Sequence, residues 1–177
     1  MDIESQIEML KAAIRDVPDF PKPGILFRDI TTLLKEPVAF RRAIDLLTAM
    51  CSGRPVDKVA AIESRGFILG SLLADRLGAG FVPVRKRGKL PARTRQATYA
   101  LEYGSDVVEM HEDAIVRGER VLIVDDVIAT GGTAAAAREL VEGLGGRLMA
   151  CAFLVELTFL NGREKLQGCE VLSLIRY

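Results

Sequence analysis

The sequence has few of the residues that build metal centres and disulfide frameworks. It contains no tryptophan, a single histidine (His111) and three cysteines, Cys51, Cys151 and Cys169, which are far apart and form no CxxC pair. This scarcity disfavours a structural zinc site and any catalytic triad that needs more than one imidazole. An odd number of scattered thiols suits a reducing cytoplasm better than a disulfide framework. We therefore interpret His111 and the cysteines as structural residues.

The chain also lacks a net charge and long apolar runs. Lysine plus arginine number 24, and aspartate plus glutamate number 24, so no global charge is available to hold a nucleic acid or an anionic membrane. No apolar run approaches the roughly 20 residues of a membrane span, and the amphipathic, acidic N-terminus resembles neither a signal nor a transit peptide. What is present, 177 residues of which 49% are apolar and 27% charged, predicts an ordinary soluble globular protein.

Apolar residues follow two different rhythms along the chain. Helical spacing predicts a helix over residues 3–17, and Pro37 opens another helix. Three prolines between positions 18 and 23 forbid a continuous helix or a central strand there. Short apolar runs predict strands at 59–62, 81–84, 121–124, 149–157 and 171–175, separated by helical stretches such as 67–77 and 133–144. Fully apolar strands that alternate with helices indicate an α/β domain with a mostly parallel sheet covered on both faces.

Residues 85–95, RKRGKLPARTR, do not fit this core. They hold six basic residues and no acidic one, and we call them the basic segment. Strand-like pieces on either side, 81–86 and 97–103, predict a long hairpin arm. A loop of this length is usually functional or disordered, although a run of charge on its own also fits a solvated surface.

The sharpest chemical signal is VLIVDDVIATGGT, residues 121–133. Its buried strand leads to Asp125 and Asp126 at the carboxyl end, where ligands of open α/β sheets bind. The glycine turn that follows consists of Ala129, Thr130, Gly131, Gly132 and Thr133. Its backbone N–H groups at a helix start predict a phosphate cradle. The carboxylates suit sugar hydroxyls or a hydrated divalent cation, so the pattern predicts a phosphorylated-sugar site. The alternative is a plain turn in which Asp126 caps the helix.

The same stretch resembles the 5-phosphoribosyl 1-pyrophosphate (PRPP) motif of type I phosphoribosyltransferases. Four more segments, in the expected order, resemble the adenine phosphoribosyltransferase family: PDFPKPGILFRDIT (base-binding), AAIESRGFILG (pyrophosphate loop), RKRGKLPARTRQATYALEYGSD (catalytic loop) and CAFLVELTFLNGREKL (C-terminal region). The similarity covers roughly residues 7–177. It implies a type I phosphoribosyltransferase fold as a single domain over 1–177, with an N-terminal hood at about 1–35 and a flexible hairpin loop at about 85–103.

The resemblance implies PRPP-binding roles in several segments. Asp125 and Asp126 would hold the ribose hydroxyls, and the glycine turn would hold the 5-phosphate. The pyrophosphate loop would consist of Glu63, Ser64, Arg65 and Gly66, where the family often has a cis peptide bond without proline. Further contacts to PRPP would come from Lys86, Lys89 and Tyr103.

The resemblance also implies catalytic roles for Glu102, Arg65 and Arg85. Adenine displaces pyrophosphate from the ribose through an oxocarbenium-like transition state, and Glu102 would accept or relay the purine proton. The planar fork of Arg65 suits pyrophosphate oxygens. Arg85 would neutralise the leaving group and could reach the neighbouring site of a homodimer. Without the family, Glu102 could be a surface residue and Arg65 could simply pair with Glu63.

Phe27 is the expected base-stacking residue. The backbone of Leu26 and Arg28 would read the Watson–Crick edge of adenine, while plain core packing is the alternative for Phe27. Two positions depart from the family pattern, because Ala92 stands where glycine is usual and Arg95 where an apolar or aromatic residue often occurs. Alanine has less conformational freedom than glycine, so we expect a stiffer loop and altered turnover.

The resemblance implies a purine-salvage transferase that makes AMP and pyrophosphate from adenine and PRPP, and the composition favours a cytoplasmic location. Mg²⁺ would be held through PRPP oxygens and water, with no direct protein ligand, and we expect no nucleic-acid or membrane partner. Two alternatives remain open: transfer to another base, and a PRPP-sensing transcriptional regulator that reuses the fold. The base-binding segment favours adenine, whereas zero net charge and Glu102 disfavour the regulator.

Overall fold

The computed structural model describes residues 2–100 and 104–177, and the chain divides into two compact units. One unit extends to Leu46 and the other runs from Leu47 to the C-terminus, so the boundary lies inside a helix. The expectation of one domain over residues 1–177 stays a prediction. None of the helices in the described residues has the length and hydropathy that a membrane span requires.

The N-terminal unit consists of helices and a two-stranded hairpin. Its elements are α1 (Ile3–Ala12), β1 (Arg15–Pro18), β2 (Leu26–Asp29), α2 (Thr31–Leu34) and the first part of α3 (Pro37–Cys51). α1 begins after Asp2, whose carboxylate accepts a hydrogen bond from the Ser5 N–H at 2.7 Å and so satisfies a free donor of the first turn. α3 begins at Pro37 as predicted, because the first turn does not need its N–H.

The helix predicted over residues 3–17 is too long. α1 ends at Ala12, and the following residues form β1, which pairs antiparallel with β2. Pro18 disfavours helical backbone at the residue before it. The hairpin also gains a cross-strand ion pair between Arg15 and Asp29. Proline and cross-strand charge together favour the extended conformation over a longer helix.

The C-terminal unit is built around a sheet that has seven strands in the described part of the chain. They are β3 (Lys58–Ile62), β4 (Gly80–Lys86), β5 (Thr94–Ala100), β6 (Ser105–His111), β7 (Arg120–Ile128), β8 (Arg147–Glu156) and β9 (Val171–Arg176), in the order β5-β6-β4-β3-β7-β8-β9. From β4 to β9 all neighbours pair in parallel, whereas β6 pairs antiparallel with both β5 and β4. All five predicted apolar runs lie in the parallel part, which confirms the α/β fold with a mostly parallel sheet.

Two helices cover this sheet from opposite faces, α4 (Arg65–Leu77) and α5 (Gly132–Gly143). Ala61 of β3 faces α4, where a Cβ added to Gly70 would lie 2.4 Å from the Ala61 Cβ. Its neighbours Ala60 and Ile62 belong to the core cluster that includes the buried side of α5. Successive strand residues point to opposite faces, so residues 59–62 of β3, which are all apolar, are buried on both faces.

The predicted hairpin arm of residues 81–86 and 97–103 is wrong in its pairing. β4 and β5 do not pair with each other, because β6 lies between them. β6 was not predicted because Asp106 and Glu109 interrupt its apolar residues, so it forms no continuous apolar run. The observed hairpin is β5 with β6, and the basic segment connects β4 to β5.

Candidate active site

The acidic pair and the glycine turn lie together at the carboxyl end of the parallel sheet. Asp125 and Asp126 lie within β7, which runs on to Ile128, and α5 begins at Gly132, within the glycine turn. A cavity of about 90 Å³ is lined by Asp125 and by residues 127–134. All five residues of the predicted 5-phosphate loop therefore line one cavity at a helix N-terminus, where backbone N–H groups favour an anion.

Two glycines allow the turn its close packing. Gly131 has a φ of +76°, and an added Cβ would lie 2.2 Å from the Gly162 carbonyl oxygen. A Cβ on Gly162 would in turn lie 2.3 Å from the Ala129 carbonyl oxygen. Gly162 begins a short 3₁₀ helix, Gly162–Leu166, which supports the turn from outside. Gly162 was not among the predicted site residues, although the Asn161–Gly162 dipeptide is a signal for a tight turn.

Lys165 of the same 3₁₀ helix is a second residue that the sequence analysis missed. Its Nζ atom lies 3.8 Å from the position that a Cβ on Gly132 would take, at the first residue of α5. A cation at a helix N-terminus is unfavourable by itself, because that end of the helix carries partial positive charge. A bound anion would make both positive groups favourable, so Lys165 adds to the anion-binding character of the turn.

The two carboxyl groups have different environments. Asp126 is buried and forms an ion pair with the Arg65 guanidinium, while Asp125 accepts a hydrogen bond from the Asp126 N–H at 2.8 Å. Burial, followed by the charge of Asp126, raises the pKa of Asp125 well above its ordinary value. The site thus offers the Asp126 carboxylate, held by an arginine, beside the Asp125 carboxyl group, and the oxygens of both can accept hydrogen bonds from hydroxyl groups.

The predicted pyrophosphate loop lies against this pair. The Glu63–Ser64 peptide bond is cis, as the resemblance anticipates. A Cβ added to Gly66 would lie 2.8 Å from Asp125 Oδ1, so only glycine lets the start of α4 approach β7 so closely. The sequence left open a simple pairing of Arg65 with Glu63; in the structure the Arg65 guanidinium forms an ion pair with Asp126.

Arg85 connects the basic segment to this loop. Its Nε donates to Glu63 Oε2 at 2.7 Å, and its Nη1 donates to the Lys89 carbonyl oxygen at 3.2 Å. Lys86 instead forms an ion pair with Asp106 at 3.2 Å, and the hydrogen bond to that carboxylate raises the pKa of Lys86. The structure therefore brings Arg85 to the predicted pyrophosphate loop, while the Lys86 ammonium is held by a carboxylate of β6.

Glu109 of β6 holds the basic segment through hydrogen bonds. This carboxylate is 2% exposed and accepts hydrogen bonds from four donors. The donors are Lys89 N (3.1 Å), Leu90 N (3.1 Å), Thr94 Oγ1 (3.2 Å) and Gln96 Nε2 (3.3 Å). Burial alone would raise the pKa of Glu109, but these bonds together lower it. Glu109 was not among the predicted site residues, because the apolar pattern did not predict β6.

Comparison with known proteins identifies the family. The phosphoribosyl transferase domain family matches residues 31–167. The adenine phosphoribosyltransferase of Geotalea daltonii is 56% identical over 171 residues, which cover 97% of this chain and 100% of that protein. The chain belongs to the adenine phosphoribosyltransferase family. This membership confirms the resemblance seen in the sequence.

Solved structures of the family agree. The adenine phosphoribosyltransferase of Thermoanaerobacter pseudethanolicus has a TM-score of 0.95 at 54% identity, covering 97% of this chain and 99% of that one. The Saccharomyces cerevisiae enzyme, solved with adenine and an imino-altritol bisphosphate, has a TM-score of 0.91 at 46% identity, covering 97% and 99%. The chain is an enzyme of this family, and its fold is that of the adenine phosphoribosyltransferases.

Some residues that the adenine phosphoribosyltransferase pattern implicates are not placed. Glu102 and Tyr103 lie outside the described residues, so their expected roles stay predictions. The base-binding segment lies in the N-terminal unit, where the Phe27 ring is half-buried and meets the Phe20 ring edge-on at 5.2 Å. The Leu26 side chain is exposed, and the Arg28 guanidinium pairs with Asp16. Phe27 is thus not a fully buried core residue.

The two departures from the adenine phosphoribosyltransferase pattern have local partners. The Arg95 guanidinium lies over Gly143, where an added Cβ would be 2.7 Å from Arg95 Nε. Gly143 is the last residue of α5, and a cation is favourable at a helix C-terminus. The Ala92 N–H donates to Nε2 of His111 at 3.4 Å, so the basic segment is tethered at this point as well.

Proposed function

We propose that this chain transfers the 5-phosphoribosyl group of PRPP to the N9 atom of adenine, releasing AMP and pyrophosphate. The observation that carries this proposal is the cavity of the glycine turn, which opens beside Asp125 and Asp126 in a chain of this family. The complex of the yeast relative with adenine and a bisphosphate is consistent with the same pair of ligands. Transfer to another base and a non-catalytic sensor are the less favoured candidates.

The geometry suggests how the chain would divide the substrate. Backbone N–H groups of the glycine turn and the Thr130 and Thr133 hydroxyls would bind the 5-phosphate, with Lys165 adding positive charge. Asp125 and Asp126 would hold the ribose hydroxyls. Arg65 and Arg85 would lie along the departing pyrophosphate and stabilise the charge that develops as its bond to the ribose breaks.

Glu102 is the proposed proton acceptor. Bond formation at N9 makes the purine more acidic, so a carboxylate near the base can take or relay the proton as the ribose carbon gains positive character. Phe27 would stack on the base, and the backbone of Leu26 and Arg28 would read its edge. The oxocarbenium-like character of the transition state also belongs to the proposal.

The donor set of the site fits a Mg²⁺ ion that is held mainly by the substrate. Within the described residues no group of three or more His, Cys, Asp and Glu side chains could hold a metal ion. Asp126 is engaged by Arg65, and Mg²⁺ commonly keeps several waters beside one or two carboxylates and substrate phosphates. Bound through PRPP oxygens and water near Asp125 and Asp126, the ion would neutralise part of the pyrophosphate charge.

We also propose that the enzyme is a cytoplasmic homodimer. The three unbonded thiols suit a reducing compartment. Ile68 and Leu72, which are one helix turn apart on α4, are both exposed. Phe81 is exposed as well, and its ring packs on Phe67 of the same helix with ring centroids 5.6 Å apart. An exposed apolar face of this kind suits a second copy of the chain.

The decisive experiment is AMP formation from PRPP and Mg²⁺ with adenine, guanine, hypoxanthine, xanthine and orotate offered in parallel. Product with adenine alone is the expected result. Product with another base would keep the transfer chemistry but overturn the role of Phe27 and its neighbours. Measurable PRPP binding without any product would favour the sensor.

A further inference from the structure

Two cysteines that are 18 residues apart in the sequence meet in the folded chain. The Sγ atoms of Cys151 and Cys169 lie 3.7 Å apart, and both residues are free thiols. Cys151 is a buried residue of β8, whereas Cys169 lies two residues before β9 and is half-buried. The two sulfurs are therefore in contact, and Cys169 is more accessible to solvent than Cys151.

The two thiols differ in their readiness to ionise. A hydrogen bond from the Cys151 thiol lowers the pKa of Cys169, and the positive charge of Arg138 acts in the same direction, against the effect of burial. The same contact and burial raise the pKa of Cys151 well above its ordinary value. The thiolate is the form that attacks an oxidant, so the more accessible Cys169 is the sulfur that reacts first.

The backbone allows these sulfurs to join. A disulfide needs an S–S distance of about 2.05 Å, so the pair must close from 3.7 Å. The strands are already adjacent, because the Cys151 N–H donates to the Glu170 carbonyl oxygen at 2.9 Å. Gly168, with a φ of +78° and open space around it, immediately precedes Cys169. The backbone at Gly168 and Cys169 can therefore move to bring the sulfurs together, while β8 stays in place.

We propose that Cys151 and Cys169 form an oxidation site at which a hydroperoxide converts two thiols into a disulfide. The Cys169 thiolate attacks a peroxide oxygen, the O–O bond breaks, and the departing alkoxide takes up the proton that Cys169 had released. The Cys151 sulfur then attacks the resulting sulfenic acid of Cys169. The S–O bond breaks, and the hydroxide leaves with the Cys151 proton as water. The peroxide is reduced to an alcohol, or to water in the case of hydrogen peroxide.

This oxidation site is connected to the glycine turn. The segment that leads to Cys169 begins at Gly162, which packs against the turn. Arg138 of α5, the helix that starts at the turn, donates to the Gln167 carbonyl oxygen at 2.8 Å. A disulfide would draw the end of this segment toward β8, so it weakens the support of the turn and lowers the affinity for PRPP. This consequence rests on the proposed function, whereas the oxidation chemistry does not.

The chemistry is tested on the reduced, full-length protein treated with hydrogen peroxide. We expect the intact mass to fall by two hydrogen atoms and the free thiols, counted after denaturation, to fall from three to one. The remaining thiol should be Cys51, which is buried and whose pKa burial raises to about 11. Intermolecular disulfides, first reaction at Cys51, or addition of oxygen without a disulfide would overturn the proposal.

Three matched variants separate the two steps. Cys151→Ala should stop the reaction at the sulfenic acid of Cys169, which dimedone then labels. Cys169→Ala should leave Cys151 unreactive, and the control Cys51→Ala should form the disulfide as the wild type does. Labelling of Cys151 in the Cys169→Ala variant would overturn the assigned order. Peptide mapping of the oxidised wild type gives the same assignment without any substitution, should Cys151→Ala fail to fold.

The link to PRPP is tested by kinetics. The KM for PRPP of the wild type should rise severalfold after oxidation and return after treatment with dithiothreitol, and Cys169→Ala should show neither change. An unchanged KM in a protein that has formed the disulfide would overturn the link to the glycine turn. Absence of AMP formation by the reduced protein would contradict the proposed function, and the mass measurement would still decide the oxidation site.

Discussion

Both arginines that are expected to face the pyrophosphate already have carboxylate partners. Arg65 pairs with Asp126, and Arg85 pairs with Glu63. These acids hold the guanidinium groups in place before substrate arrives, and each pair must share or exchange its hydrogen bonds when phosphate oxygens enter. Charge-assisted, forked contacts are directional, so the resting pairs orient the cations that later meet the leaving group.

Substitution of Asp126 should affect one substrate selectively. Asp126→Asn keeps the shape of the side chain but removes the charge that holds Arg65, and it weakens the proposed contact to the ribose hydroxyls. We expect PRPP affinity to fall about tenfold or more, which corresponds to ~1.4 kcal/mol, with little change for adenine. Titration calorimetry with each ligand measures the two effects, and equal losses would indicate a structural role.

Glu102 carries a prediction that concerns the chemical step. If its carboxylate accepts the purine proton, Glu102→Gln should lower kcat by roughly 10²-fold or more. Single-turnover kinetics must first show that chemistry limits the rate. An unchanged chemical rate would contradict the assigned role, and unaltered PRPP affinity in the same variant serves as the control for an intact site.

At the scale of elements, β6 organises the basic segment although its own sequence is inconspicuous. Glu109 accepts two backbone hydrogen bonds from the segment, and the Lys89 carbonyl oxygen in turn accepts from Arg85. The buried Glu109 carboxylate on β6, next to the edge strand β5, thus holds in place a loop that carries cations. The arrangement makes Glu109 a positioning residue for Arg85.

Loss of this anchor should change phosphate binding more than base binding. Glu109→Gln removes the charge and turns an amide donor toward a site built of donors, and a buried hydrogen bond to a charged group contributes ~1.5–3 kcal/mol. A loss of this size corresponds to a rise of about tenfold or more in the KM for PRPP and for pyrophosphate. We expect the KM for adenine to stay nearly unchanged. Thr94→Val, which removes a single donor, should have a smaller effect. An equal rise for all substrates would contradict a positioning role.

The same anchor has a defined pH dependence. Because the pKa of Glu109 is lowered on folding from an ordinary value of 4.5, its stabilising contribution is fully present above that ordinary value. It is lost as the pH falls through the lower pKa of the folded state. The wild type should therefore show an acid-induced loss of stability that Glu109→Gln shows to a smaller extent. Unfolding by denaturant at pH values from about 7 to 3 measures the difference, and identical profiles would contradict the prediction.

Gly162 allows a steric test of the support beneath the glycine turn. Gly162→Ala places a Cβ 2.3 Å from the Ala129 carbonyl oxygen, and overpacking of this kind costs about 1–3 kcal/mol of stability. We expect a higher KM for PRPP together with a lower melting temperature. Gly80→Ala is the matched control, because the three atoms nearest to its Cβ all belong to the flexible Lys58 side chain, the first at 3.0 Å. Equal effects of both changes on the KM would argue against a local cause.

At the scale of the whole molecule, the sequence predicted what depends on continuous patterns. The five apolar runs became parallel strands, since a strand buried on both faces must be apolar throughout. The first helix, α1, is shorter than the helix predicted over residues 3–17. Local periodicity cannot reveal that residues after Ala12 pair with another strand. Glu109, Gly162 and the pair of sulfurs could not be found from spacing, because each gains its meaning from a segment that is distant in the sequence.

The balance of charge predicts weak interaction with nucleic acids. Lysine plus arginine equal aspartate plus glutamate at 24 each, and many basic side chains, such as Arg54 and Arg120, are paired with acids. We expect a DNA mobility shift at very low salt at most, and none near physiological salt, where binding by a few phosphate contacts falls steeply. A complex that persists at physiological salt would revive the regulator hypothesis.

The contact between Gly131 and Gly162 limits how this region can change. A tight packing defect is commonly rescued by a smaller residue on the opposing side, but here both sides already carry the smallest side chain. Second-site suppressors of a substitution at either glycine must therefore displace backbone, either of the turn or of the 3₁₀ helix beyond it. Screens for such suppressors should return changes in the residues that flank the glycine turn or the 3₁₀ helix, and none at Gly131 or Gly162.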